Sequence, residues 1–143
     1  MMTVLLPIEE GRDASPAVAH VIALARQETL RVYLLNVRTP LPVYVARFLP
    51  AAEREAFYHE NGMRAMQDAI ARLDAAGIDH RDEVRVGNKA ETILEAAREK
   101  RCAEIVVAGK EGGLLEGLGL GSIRAQLRHL LQPGEALRIR EAA

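Results

Sequence analysis

The feature that most constrains the fold of this chain is a set of short runs in which nearly every residue is apolar. Residues 3–8 (TVLLPI), 30–37 (LRVYLLNV) and 104–108 (EIVVA) are of this kind. A strand with one face in water alternates apolar and polar residues, whereas a continuous apolar run is typical of a strand covered on both faces. The three runs therefore predict a parallel sheet with helices on both sides.

Segments with helical periodicity separate these runs. Ser15 and Pro16 predict the start of the first helix, with the serine as N-cap and the proline at the first helical position. A second helical pattern extends over about residues 51–76, and Gly77 ends it. Gly62 weakens the middle of this pattern, which leaves open a separate short helix or a mobile loop before it.

The second half of the chain continues the alternation. A short strand at residues 84–86 alternates with charges, as is typical of an edge strand, and Asn88 with Glu91 predicts a capping box at the next helix. A last helix is predicted at residues 123–131 and a last strand at 136–140. Strands that alternate with helices over all 143 residues predict one doubly wound α/β domain, residues 1–143, with an open and mostly parallel sheet.

The composition excludes several classes of protein. A hydrophobic fraction of 49% excludes a disordered chain, and a formal net charge of −1 provides no field to attract nucleic acid or an anionic membrane. The single cysteine, Cys102, excludes an internal disulfide, and the four histidines lack metal-ligand spacing, so no metal site is expected. The opening MMTVLLPIEE has no basic segment ahead of its apolar run, so we expect a cytoplasmic protein.

The candidate binding site lies where two loops are expected to meet. In doubly wound sheets, ligands bind outside the carboxyl ends of the strands, at the point where the strand order reverses. Residues 7–10 (PIEE) end the first strand, and residues 109–122 (GKEGGLLEGLGLGS) follow the fourth. Glycines let backbone N–H groups approach an anion closely, and Ser122 is placed to cap the next helix, whose N-terminus attracts anions. Lys110 and Arg124 add positive charge.

The residues of this glycine-rich loop allow two interpretations. It fits neither a Walker A loop, which needs a lysine before its final serine or threonine, nor a dinucleotide fingerprint, which follows the first strand. It predicts either a phosphate cradle or no more than a turn between strand and helix, with about equal weight.

The order and spacing of these segments resemble the universal stress protein family. The nucleotide-binding branch of that family has the pattern G-x2-G-x9-G-[ST] after its fourth strand, and this chain has Gly109-x2-Gly112-x8-Gly121-Ser122, one residue shorter. TVLLPIEEG stands where the family has an apolar strand ending in P-V-D-G-S. The stretches VGNKAETILEAAREKRCAEIVVAG and SIRAQLRHLLQP are also similar, so that only residues 39–59 lie outside the resemblance.

The resemblance implies a flavodoxin-like fold with strand order 3-2-1-4-5, a homodimer formed through the last strand, and ATP, with or without Mg²⁺, as the ligand. By position, one group of residues would border adenine and ribose: Pro7, Ile8, Glu9 and Val37. A second group would lie by the phosphates: Gly109, Gly112, Gly121 and Ser122. Glu9 stands where the family has the aspartate that contacts the ribose hydroxyls, and Glu10 adds a second negative charge.

Three functions follow as hypotheses. The first is an ATP-binding stress-response or regulatory module that is not an enzyme, since no catalytic residues are recognisable. The second is a nucleotide-free dimeric interaction protein of the same fold, favoured by the shortened loop and the acidic pair. The third, a small α/β enzyme that uses the same crevice, has only fold analogy behind it.

Overall fold

A computed structural model describes residues 1–108 and 123–142, which form a five-stranded sheet in the order β3-β2-β1-β4-β5. All four strand pairs are parallel. The strands are β1 (Met2–Pro7), β2 (Leu30–Arg38), β3 (His80–Val86), β4 (Glu104–Ala108) and β5 (Arg138–Ala142). The helices are α1 (Ser15–Ala25), α2 (Val43–Ala46), α3 (Ala51–Ala75), α4 (Lys89–Glu99) and α5 (Ile123–Leu130). The predicted fold class and strand order are confirmed.

The three apolar runs are the three central strands, and their continuous apolarity has a direct cause. Successive side chains of a strand point to opposite faces, and here both faces are covered by helices. One layer packs α1 and α3 on the sheet through a buried set that includes Val4, Leu6, Val18, Met66 and Leu73. The other packs α4 and α5 through a set that includes Leu5, Leu35, Ile93, Ile105 and Leu127. None of the described helices is long and apolar enough to span a bilayer.

The separate short helix or loop that Gly62 leaves open in the first part of the second helical pattern does not occur, because α3 is one helix of 25 residues. Gly62 is buried, and a Cβ built on it would lie 2.5 Å from one methyl carbon of Val84 and 2.6 Å from the other. This glycine therefore allows α3 to approach β3 closely. The predicted stop at Gly77 is confirmed, since the helix ends there and Gly77 has a φ of +70°.

Of three predicted helix and strand ends, one is confirmed and two are displaced by one or two residues. Asn88 caps α4 as expected, accepting a hydrogen bond from the Glu91 backbone N–H at 3.2 Å. Ser15 is not the N-cap of α1 but its first residue, because Ala14 occupies the cap and the Ser15 N–H donates to Asp13. The last strand begins two residues later than predicted, at Arg138.

The edge strand β3 is fastened at its first residue by an imidazole between two carboxylates. His80 Nε2 lies 2.6 Å from Asp74 Oδ1 at the end of α3, and His80 Nδ1 lies 2.6 Å from Asp82 Oδ1. Burial of the ring lowers the pKa of His80, but the hydrogen bonds and charges of the two aspartates outweigh burial and raise that pKa above its usual value. The imidazole therefore links β3 to α3, and its protonated form is the one that the two carboxylates favour.

The segment that the family resemblance does not cover contains most of the chain's aromatic residues. Four of the five, Tyr44, Phe48, Phe57 and Tyr58, lie between α2 and the first half of α3. Only Tyr58 among these four is buried, and its hydroxyl oxygen accepts a hydrogen bond from the Leu41 N–H at 2.7 Å. Tyr58 thus fastens the chain that follows β2 to α3.

Candidate functional site

A cleft lies over the carboxyl ends of β1 and β4, the two neighbouring strands between which the strand order reverses. Its described lining residues come from both strands and from α1, α4 and α5, and are Pro7, Glu9, Arg12, Asp13, Ala14, Ala17, Ile93, Val107, Ala108 and Ile123. Ala108 and Ile123 are the residues on either side of the sequence 109–122. The described residues on either side of the glycine-rich sequence therefore line the cleft.

The residues singled out from the sequence differ in where they lie. Pro7 and Glu9 line the cleft. The Ile8 side chain is buried in the layer under α1 and α3, and the Val37 side chain packs in the opposite layer. Neither of these two side chains is part of the cleft lining. Four further residues lie outside the described part of the chain: Gly109, Gly112, Gly121 and Ser122.

The Glu9 carboxylate forms two ion pairs, one on each face of the sheet. Its Oε1 lies 3.1 Å from the Lys89 Nζ at the start of α4, and its Oε2 lies 3.3 Å from Arg12 Nη1 just before α1. The Glu9 side chain is only 18% exposed. Each carboxylate oxygen retains lone pairs for a further donor, so the ion pairs hold Glu9 in place without exhausting it as an acceptor.

The second acidic residue is also paired. Glu10 Oε2 accepts a hydrogen bond from Arg38 Nη1 at 3.1 Å, which joins the end of β1 to the end of β2. With Arg12 and Lys89 on Glu9, the acidic pair lies among three cations. This set of ion pairs could not be predicted from the sequence, because the pairing is tertiary. Arg38, for example, is 28 residues from Glu10 along the chain.

Asp13 is the other carboxylate of the cleft. The side chain and backbone of Ser15 donate hydrogen bonds to it, which lowers the pKa of Asp13 below its usual value. Asp13 is therefore ionised at neutral pH and belongs to the turn that begins α1.

A buried side-chain amide holds the backbone at the residue that follows β1. Asn36 is 2% exposed, and its Nδ2 donates to the Ile8 backbone oxygen at 2.8 Å. Its Oδ1 is buried and has no hydrogen-bond partner among the described residues. Because a buried polar group is costly, Asn36 is a position where the chain accepts an unpaired oxygen in order to fix the backbone next to Glu9.

Other reactive groups in the described chain are unsuited to chemistry in this cleft. Cys102 is buried, and desolvation raises the pKa of its thiol to about 11, so it carries no thiolate near neutral pH. Within residues 1–108 and 123–142, no group of three or more His, Cys, Asp or Glu side chains is arranged to hold a metal ion. Arg124, expected to add charge to the loop, is ion-paired with Glu141 of β5.

Comparison with solved structures supports the same architecture. The hypothetical protein MJ0577 is 20% identical, with a TM-score of 0.73 over 99% of this chain and 96% of that one. A universal stress protein in complex with cAMP is 20% identical, with a TM-score of 0.67 over 99% and 96%. A universal stress protein family protein from Arabidopsis thaliana with AMP bound is 15% identical, with a TM-score of 0.64 over 100% and 93%. At these identities the likeness shows the fold.

A model of a whole protein family matches this chain, whereas no single curated protein does. The model of the universal stress protein family matches residues 1–131, which is most of the 143 residues. On that match, the chain belongs to the universal stress protein family.

Proposed function

We propose that this protein binds an adenine nucleotide, with ATP as the leading candidate, in the cleft over β1 and β4. It then acts as a cytoplasmic stress-response or regulatory module rather than as an enzyme. The observation that carries the proposal is the pairing of both acidic residues at the end of β1, of which Glu9 lines the cleft, with Arg12, Arg38 and Lys89. Similar folds in the family have AMP or cAMP bound, which supports this class of ligand.

The charges of the cleft fit an anionic ligand better than the sequence indicates. Glu9 and Glu10 alone would repel a phosphate, but three cations pair with them, and with the ionised Asp13 included these six side chains carry no net charge. Like charges destabilise a complex and opposite charges favour it, most of all where water is partly excluded. The acidic pair is therefore no barrier to a nucleotide.

The remaining lining suits the uncharged parts of the ligand. Pro7, Ile93, Val107 and Ile123 present apolar side chains to the cleft. Ligand pockets combine such surface with a few polar groups that orient the ligand. We assign Glu9 the role of accepting hydrogen bonds from the sugar hydroxyls. We assign the glycine-rich sequence 109–122 and Ser122 the role of contacting phosphates, with Mg²⁺ proposed only as the counter-ion of the triphosphate.

Isothermal titration calorimetry of the purified protein with Mg-ATP, AMP and cAMP tests this proposal. We expect saturable heat and a thermal midpoint that rises with ligand concentration, because a ligand that binds only the native state stabilises it. Ala108→Leu, at the end of β4, should weaken binding by filling the cleft, whereas Ala75→Leu on the exposed end of α3 should not. Absence of heat at high micromolar nucleotide would reject the proposal.

The alternative is a nucleotide-free interaction protein that works as a homodimer. Within the described residues, β5 pairs with β4 on one side only, so its other edge is open to a second chain. Arg138 and Arg140 are charges on this strand, and Arg140 is held by Glu104 at 3.1 Å. A dimer mass by light scattering together with equal melting temperatures in the presence and absence of ATP would favour this alternative.

A further inference from the structure

Lys89 occupies a position that the local rules of helix structure disfavour. It is the first residue of α4, and the partial positive charge of a helix N-terminus repels a cation there. Glu91, in the same first turn, follows the rule, since acidic side chains are favoured at this end. The ion pair of Lys89 with Glu9, at 3.1 Å, offsets the unfavourable position. A local conflict of this kind is expected at functional sites.

Among Glu9, Arg12 and Lys89, the lysine has the side chain that can most easily change its ion-pair partner. Its side chain is 45% exposed, against 18% for Glu9 and 25% for Arg12. Its ammonium group is a single charge on a flexible four-carbon stem. If Lys89 moves away, Glu9 keeps its ion pair with Arg12 at 3.3 Å, so no buried carboxylate is left without a cation.

We propose that Lys89 determines the preference of the site for nucleotides over nucleosides, by exchanging the Glu9 carboxylate for a phosphate of the ligand. This inference rests on the nucleotide site proposed above. When the sugar hydroxyls hydrogen-bond to Glu9, the phosphate carried by the same sugar lies within one side-chain length of the Lys89 ammonium group, which is 3.1 Å from Glu9 Oε1. A phosphate then attracts this ammonium group more strongly than the carboxylate does, because it carries more negative charge and more acceptor oxygens. Adenosine offers no such group, so Lys89 stays on Glu9 when the nucleoside binds.

Titration calorimetry of the wild type and of Lys89→Met with adenosine, AMP and ATP tests the proposal. We expect the variant to bind AMP and ATP roughly tenfold more weakly, the lower end of what a charged hydrogen bond contributes, because the lost pair with Glu9 offsets part of the effect. The affinity for adenosine should change less than twofold. Lys100→Met is the matched control, because Lys100 follows the other end of α4 and lies over the Tyr33 ring at 5.1 Å. It should change none of the three affinities.

Two results would overturn the inference. One is an equal loss of affinity for adenosine and for the nucleotides, which would mean that Lys89 acts only by holding Glu9 in position. The other is unchanged affinity for all three ligands in Lys89→Met. Thermal melting shows whether that variant is folded, and Lys89→Gln repeats the test if it is not. A wild type that binds none of the three ligands refutes the proposed function itself, and is distinct from a wild type that binds while the variant matches it.

Discussion

Replacing Gly62 by alanine tests whether close packing of α3 on β3, rather than helix propensity, decides this position. On an exposed helix surface the change would stabilise the protein by about 1 kcal/mol, because glycine is a poor helix former. In this protein the new Cβ would lie 2.5 and 2.6 Å from the two methyl carbons of Val84 and 3.1 Å from its Cβ. Rotation of the valine cannot relieve all three contacts, so the helix or the edge strand must move.

The net effect follows from two opposing free energies. Ordinary van der Waals contact begins near 3.4 Å, so α3 and β3 must separate by several tenths of an ångström. Overpacking of this kind costs about 1–3 kcal/mol, and the gain in helix propensity recovers about 1 kcal/mol. We expect Gly62→Ala to lower the free energy of unfolding by up to about 2 kcal/mol, or the melting temperature by up to roughly 8 °C, in place of the gain that helix propensity alone would give.

Urea unfolding of Gly62→Ala, Val84→Ala and the double variant measures the coupling between the two residues. Because Val84→Ala removes both methyl groups, the same glycine substitution should be neutral or stabilising in that background. Gly77→Ala is the control. Its Cβ would meet nothing within 4 Å, but its φ of +70° strains any other residue, so Val84→Ala should leave its cost unchanged. An equal effect of Gly62→Ala in both backgrounds would refute the packing argument.

Three further predictions concern single side chains. Because the pKa of His80 is raised in the folded state, its contribution to stability is complete below pH 6.5 and is lost as the pH rises through the folded pKa. Urea unfolding between pH 6 and pH 9 should therefore show a steeper loss for the wild type than for His80→Asn, and parallel curves would contradict this. Asn36→Leu removes the donor to the Ile8 oxygen, and we expect a loss of about 1–2 kcal/mol in the same assay, with unchanged stability as the contrary result. Cys102, whose thiol pKa is raised to about 11, should resist iodoacetamide at pH 8 until urea unfolds the chain, as followed by mass spectrometry; rapid labelling of the native protein would show that the thiol is accessible.

The fold was predictable because strands buried on both faces have apolar residues at consecutive positions of the sequence. A strand in the middle of a parallel sheet must be apolar at consecutive positions, and residues 3–8, 30–37 and 104–108 show this directly. Once the strands and helices alternate, the right-handed crossover rule leaves few topologies. The place of the cleft follows in turn, because the strand order must reverse next to β1 in such a sheet.

Details that depend on a partner distant in sequence could not be predicted in this way. A glycine in a helical pattern indicates either a break or a close approach of another element, and at Gly62 only the position of Val84 decides between them. The N-cap of α1 was misplaced by one residue, because the cap is Ala14, whose side chain offers no signal in the sequence, and the Ser15 N–H donates to Asp13 instead.

Glu9 stands where the family has an aspartate, and the cations that pair with it decide how much this longer side chain can move. Taken by itself, the longer side chain of Glu9 places its carboxylate differently and leaves it with more freedom than an aspartate has. The ion pairs to Arg12 and Lys89 come from opposite sides and remove that freedom in the folded state. A pre-organised acceptor loses less entropy when a ligand binds, and Arg12 keeps Glu9 in position even after Lys89 has moved to a phosphate, so the longer side chain and its two cations form one unit in the ligand-free protein. Substituting aspartate for Glu9 alone would therefore break this unit, because the shorter side chain would no longer reach both cations.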